Sequence, residues 1–194
     1  MTSPVRAARP LSQGVEDPPS DAAQVVLALG SNLGEREAVL RSAVAGLSTT
    51  AGLAVHSVSP VVETEPVGGP VQDPYLNAVV LAATTLSPAA LLALCQRIEA
   101  EHGRERNVRW GARTLDIDII SYGELVCETA NLILPHPRAH LRAFVLVPWS
   151  QADPTAVLVG PGGGAVSALA AAADDRDGVR AFAGLDLNAG GGTR

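Results

Sequence analysis

Asp116 and Asp118 stand two residues apart in the run Arg109-Trp110-Gly111-Ala112-Arg113-Thr114-Leu115-Asp116-Ile117-Asp118-Ile119-Ile120. On a β-strand, residues at that spacing project to one face. The two carboxylates therefore point together, while Leu115, Ile117 and Ile119 point into a core. Adjacent carboxylates repel unless a cation joins them, and Mg2+ is commonly held by one or two carboxylates plus substrate phosphates. Arg104, Arg106, Arg109 and Arg113 lie immediately upstream and add the positive charge a polyphosphate needs. For an isolated Asp-x-Asp, a solvated acidic pair balanced by arginine is the better reading. Here the arginine cluster and the helix-to-strand setting favour a metal-triphosphate site.

Three other groups of residues carry chemistry by type and spacing. The Pro- and Gly-held loop beginning Glu63-Thr64-Glu65-Pro66-Val67 ends at Tyr75-Leu76-Asn77. It delivers an aromatic face and an amide on one side of a strand, where the ring would stack on a planar heterocycle and the amide would read its edge; the alternative is a half-buried core tyrosine and a sheet-edge asparagine. Leu134-Pro135-His136-Pro137-Arg138, followed by Arg142-Ala143-Phe144, holds an imidazole in an extended segment, positioned for a phosphate. His56, His102 and His140 have no such company and are expected to be structural. Gly30-Ser31-Asn32-Leu33-Gly34 joins a strand to a helix; an anion site is one use of such a turn, and a helix cap from Ser31 or Asn32 is the plainer one.

Composition narrows the options. All 14 basic residues are arginine. A P-loop, a protein-kinase strand lysine and Schiff-base chemistry each require a lysine, so all three are excluded. A net charge of −6 argues against a nucleic-acid footprint. Cys95 and Cys127 form no CxxC, no zinc framework and no disulfide pattern, so a cytoplasmic location is expected. No apolar run approaches bilayer length, and no membrane association or signal peptide is expected.

The elements that would position these residues alternate in type. Residues 1–23 read as a Pro-rich disordered leader, 24–184 as one domain and 185–194 as a flexible tail. Within the domain, a strand over 25–29 leads to a helix with an apolar stripe of Leu40, Ala43, Val44 and Leu47. A strand over 53–62, broken at Pro60, is followed by a loop over 63–74 and a strand over 76–83. Ser87 and Pro88 open a second helix with Leu91, Leu94, Cys95 and Ile98 buried, and Gly103 ends it. A strand over 114–121 completes the series. The order βαββαβ predicts an α+β fold of ferredoxin-like type, an antiparallel sheet with helices on one face, plus C-terminal additions that include a short helix over 165–173 and carry no chemistry. That order is shared with RNA-binding modules, whose phosphate ligand the paired aspartates would repel, and with small-molecule regulatory domains, which bind without turnover.

Together the motifs resemble the 6-hydroxymethyl-7,8-dihydropterin pyrophosphokinase family over residues 25–149, through GSNLG, DPYLNAVV, QRIEAEHGR, RWGARTLDIDII, LPHPR and RAFVLVPW. The resemblance implies an enzyme of folate biosynthesis that moves pyrophosphate from ATP to the pterin hydroxymethyl group. It further implies that Asp116 and Asp118 bind two Mg2+ and that Arg104, Arg113 and His136 face the ATP phosphates. Gln96, Glu99, Arg106, Ile119 and Arg142 complete the nucleotide set. Tyr75 and Phe144 sandwich the pterin, with Thr64, Asn77 and the Val67 backbone at its polar edge. Arg109 and Trp110 serve loop closure. The proton acceptor is left open between Asp118 and a water. Ala112, Glu65 and Pro137 depart from residues common in the family and bear on loop closure and pterin affinity. ATP and the pterin are the expected partners, and a monomer the expected state.

Overall fold

The computed structural model describes residues 14–66, 72–103 and 113–188. Val67, Arg104, Arg106, Arg109 and Trp110 lie outside them.

The central strand β1 (Ala23–Ser31) pairs antiparallel on one side with β4 (Tyr75–Thr84) and on the other with β5 (Asp116–Tyr122). β2 (Leu53–Val58) and β3 (Val62–Thr64) run along the outer edge of β4, and β10 (Val179–Ala181) extends the sheet beyond β3. The order is β10-β3-β4-β1-β5, with β2 also on β4. β2 and β3 are the two halves of the strand expected over 53–62. Pro60 offers no N–H to a ladder, and at this break Ser59 bonds Val79 through both its backbone N–H and its hydroxyl. Glu63 and Thr64, expected in a loop, belong to β3.

α1 (Arg36–Ser48) buries Leu40, Ala43, Val44 and Leu47, and α2 (Pro88–Glu101) buries Leu91, Leu94, Cys95 and Ile98. Both stripes enter one core with Val25, Leu27 and Leu29 of β1. The α2 start follows its sequence signals: Ser87 Oγ accepts from Ala90 N–H at 3.2 Å with Pro88 in the first turn. Gly103, at φ +71°, supplies the left-handed residue that closes it.

The sheet is covered on both faces, where helices on one face were expected. α3 (Ala143–Ala152) and α4 (Val166–Ala172) pack on the opposite side, and Val26, Val79 and Ile120 join Val145, Leu146, Trp149, Val166 and Ala170 in a second core. The physical reason lies in β1 and β4, whose VVLAL and AVVLAA runs are apolar on both faces and need cover on both. Two short hairpins, β6 (Cys127–Glu128) with β7 (Ile133–Leu134) and β8 (Val157–Leu158) with β9 (Gly164–Ala165), connect these parts.

Residues beyond the expected boundaries at 23 and 185 also touch the core. Val15 is buried in the first core and its carbonyl accepts from Ala89 N–H at 2.9 Å. Leu185 and Leu187 are buried there too, and the Asn188 amide bonds the Val58 backbone in both directions. Single apolar residues among Pro, Asp and Gly make no periodic pattern, so their packing has no signature in the sequence.

Candidate active site

The register of β1 against its two neighbours builds the site. Gly30 lies across from Asn77 on β4 and from Asp116 on β5, and Ala28 lies across from Asp118. Two small residues on the central strand thus form a floor between an amide on one side and paired carboxylates on the other. A cavity of about 760 Å³ opens above this floor, lined by both aspartates, Arg113, Tyr75, Asn77 and Thr64. His136, Arg142 and Phe144 line it from the chain that runs into α3.

On the β4 side, Asn77 is almost fully buried and its Nδ2 donates to Thr64 Oγ1 at 2.9 Å, which leaves its carbonyl oxygen toward Gly30. Tyr75 is half-buried, and desolvation raises its hydroxyl pKa, with Arg113 pulling it the other way. Arg36, on the first turn of α1, donates to the Pro74 carbonyl at 2.6 Å and pairs with Glu63 at 2.9 Å, fixing the chain just before Tyr75.

On the β5 side, Arg113 pairs with Asp116. Asp118 has its carboxyl pushed up to about 6, first by burial and then by the Asp116 charge, against the pull of Arg142 and Arg113. Arg142 NH1 approaches Asp118 Oδ2 at 3.5 Å and its guanidinium lies 5.4 Å from the Phe144 ring centroid, a cation–π distance. His136 reaches this corner because its N–H donates to the Ile120 carbonyl at 2.9 Å, bringing the ring 3.7 Å from Asp118. Burial, with Arg142 and Arg138 nearby, pushes its pKa down to about 4, so at neutral pH the ring is uncharged and carries one N–H.

Among the described residues, no group of three or more His, Cys, Asp or Glu side chains could hold a metal ion. Two oxygen donors on one face fit a hard cation that completes its shell from substrate phosphates and water, and fit zinc or copper poorly.

The cavity brings together Thr64, Tyr75, Asn77, Arg113, Asp116, Asp118, His136, Arg142 and Phe144 from the expected set. Ile119 is buried in the core and edges a second, smaller pocket with Ile117, Asp118 and His136. Gln96 is exposed on α2 and lines neither pocket. Glu99 lines neither as well; it is buried, with Oε1 accepting the Ile117 N–H at 2.7 Å, so it acts on the backbone between the aspartates.

Several contributors lack a sequence signal of their own. Ala28 and Gly30 matter through register, which pairing alone reveals. Ser31 and Asn32 do not cap α1, which starts at Arg36 with Glu35 before it; they bond to Arg113, Thr114, Gln72 and Asp73 instead. Asp174 and Asp175 line the cavity from a stretch expected to carry no chemistry, and Asp175 Oδ1 accepts the Ala143 N–H at 2.8 Å, capping α3 from a distance in sequence.

The chain is similar in sequence and in fold to known proteins. Residues 26–154 match the model of the 7,8-dihydro-6-hydroxymethylpterin-pyrophosphokinase family. A Bacillus subtilis protein named 2-amino-4-hydroxy-6-hydroxymethyldihydropteridine pyrophosphokinase is 50% identical over 125 residues, 64% of this chain and 75% of that one. A Mycobacterium bovis protein of the same name is 44% identical over 179 residues, 85% of this chain and 93% of its own length. In structure, a Plasmodium falciparum HPPK-DHPS chain superposes with a TM-score of 0.61 at 14% identity, over 84% of this chain and 45% of that chain. This chain thus spans less than half of that protein, and the likeness bears on fold alone.

Proposed function

The chain belongs to the 7,8-dihydro-6-hydroxymethylpterin-pyrophosphokinase family, and on that basis we propose how its site performs the transfer of pyrophosphate from ATP to the hydroxymethyl group of 6-hydroxymethyl-7,8-dihydropterin, a step of folate biosynthesis that releases AMP. The observation that carries the proposal is one cavity with an aromatic-and-amide side on β4 and a paired-carboxylate side on β5.

Tyr75 and Phe144 stack on the pterin, and Asn77 and Thr64, with the backbone at Val67, read its polar edge. Asp116 and Asp118 would hold Mg2+, two ions in all, which would supply charge neutralisation on the ATP phosphates. Arg113, Arg142 and His136, together with Arg104 and Arg106, bind and orient the triphosphate. The pterin hydroxyl oxygen attacks the β-phosphorus in line, and the bond from that phosphorus to the oxygen retained by AMP breaks. Such transfers ask mainly for alignment and charge stabilisation, so no strong protein base is assigned. Arg109 and Trp110 close the site and exclude water. Ile119 contributes apolar surface beside the nucleotide, and Gln96 and Glu99 support the α2 side.

The same proposal covers a monomer working in the cytoplasm, in one catalytic domain whose ferredoxin-like βαββαβ sheet is extended by the C-terminal layer. Among the described residues no helix is long and apolar enough to cross a membrane.

The test is ATP consumption with the pterin and Mg2+, with the nucleotide product identified. Pterin-dependent AMP supports the proposal. ADP would mean a different phosphoryl transfer, and intact ATP binding without turnover would favour a regulatory module.

A further inference from the structure

Asn32 is a polar side chain only 1% exposed to solvent. Buried amides are retained where each donor and acceptor finds a partner, and its partners lie on opposite sides of the site. Nδ2 donates to Gln72 Oε1 and to the Asp73 carbonyl, both at 3.0 Å, just before Tyr75 enters β4. Oδ1 accepts the Arg113 N–H at 2.8 Å, and the Asn32 N–H donates to the Arg113 carbonyl at 3.1 Å, just before Asp116 enters β5. The orientation of the amide is fixed by chemistry, because an N–H must meet oxygen and the Asp73 carbonyl must meet nitrogen.

We propose that Asn32 is a positioning residue for the transfer reaction: it locks the entry of the pterin-side strand to the entry of the metal-side strand, and so sets the approach of the hydroxyl acceptor to the phosphate donor. The proposal rests on the function assigned above. Asn32 lines no part of the cavity and acts through the chain segments it joins. Neighbouring bonds hold each side separately. Ser31 Oγ donates to the Thr114 carbonyl at 2.6 Å on the metal side, and Arg36 holds Pro74 on the pterin side. The Asn32 side chain bridges the two. A bimolecular transfer is sensitive to such a bridge, since small losses of alignment cost rate even when both substrates still bind.

Asn32→Asp separates the two halves of this role. The variant keeps an oxygen for the Arg113 N–H but loses both donors on the pterin side and sets a carboxylate oxygen against the Asp73 carbonyl. The expected result is a folded protein with ATP KM within about twofold of wild type, while pterin KM rises and kcat falls by roughly tenfold each, the scale of the two buried hydrogen bonds lost. Asn32→Ala, which frees both sides, should lower kcat further with each substrate still bound singly in calorimetry. An N32D enzyme with kcat within about twofold of wild type would overturn the proposal; so would a rise in both KM values in step with a fall in melting temperature, the mark of a merely structural role. Wild-type protein assayed alongside keeps the two ideas apart: no AMP from wild type overturns the proposed function, whereas AMP from wild type and an unslowed variant overturns only the role of Asn32.

Discussion

The Glu99 carboxylate, 2% exposed on α2, accepts the backbone N–H of Ile117 at 2.7 Å. Ile117 separates Asp116 from Asp118, so a buried acid on a helix pins the strand segment that presents both carboxylates. Glu99→Ala would leave the Ile117 N–H buried near a small void, at a cost of about 1 to 3 kcal/mol. Glu99→Gln keeps an acceptor of the same shape and should recover most of that loss. Urea unfolding of the two variants checks the order, and a higher Mg2+ concentration for half-maximal activity in E99A would follow from looser aspartates.

Asp118 sets stability against function. Its pKa is raised from 3.8 to about 6, so the folded protein binds that proton more tightly than the unfolded chain. For this group the destabilising charge is fully felt above pH 6, and the strain is relieved as pH falls from 6 toward 4. Asp118→Asn is therefore expected to raise the melting temperature of the metal-free protein at pH 7.5 while abolishing AMP formation. Mg2+ should stabilise the wild type at pH 7.5 and do so less at pH 5, where the proton competes for the same oxygens. Thermal melts with and without Mg2+ read both effects; unchanged melting in D118N would count against a strained carboxylate pair.

Gly30 makes the floor between Asn77 and Asp116. A Cβ built there would sit 3.2 Å from Asn77 Oδ1 and 3.7 Å from the Tyr75 ring. The backbone is ordinary strand, so Gly30→Val meets no conformational penalty and gains strand propensity. Its branches would occupy the space a flat ring needs. The expected outcome is a folded variant whose pterin KM rises by roughly tenfold or more, as overpacking of about 1 to 3 kcal/mol implies. Steady-state kinetics with each substrate varied in turn would show it, and an unaltered pterin KM would place the ring elsewhere.

Asp175 caps α3 at Ala143, the residue before Phe144. Asp175→Ala removes an acceptor from a helix start that has no cap of its own, which should cost about 1 kcal/mol of stability. Because the lost bond neighbours Phe144, the ring proposed to stack on the pterin, pterin affinity should weaken more than ATP affinity. Denaturant melts combined with fluorescence titration of the pterin would detect both; a stability loss with intact pterin affinity would confine Asp175 to the fold.

The placement of the candidate groups was legible in the sequence wherever local spacing decides it. The two-residue spacing puts Asp116 and Asp118 on one face of a strand by pleat geometry alone, and Tyr75 and Asn77 likewise, while Ser87, Pro88 and Gly103 mark α2 by the hydrogen bonds and backbone angles that helix ends require. Tertiary structure alone decided what depends on partners distant in the chain. The register that sets Gly30 between Asn77 and Asp116 comes from pairing three strands. The bonds of Asn32, the clamp of Glu99 on Ile117 and the cap of Asp175 on α3 each join groups far apart in sequence. α3 itself, AFVLVPWSQA, is mostly apolar, contains Pro148 and has no cap of its own, so neither helical period nor end signals announce it. It forms because the second face of β1 and β4 must be covered, a demand that exists only once the sheet has been built.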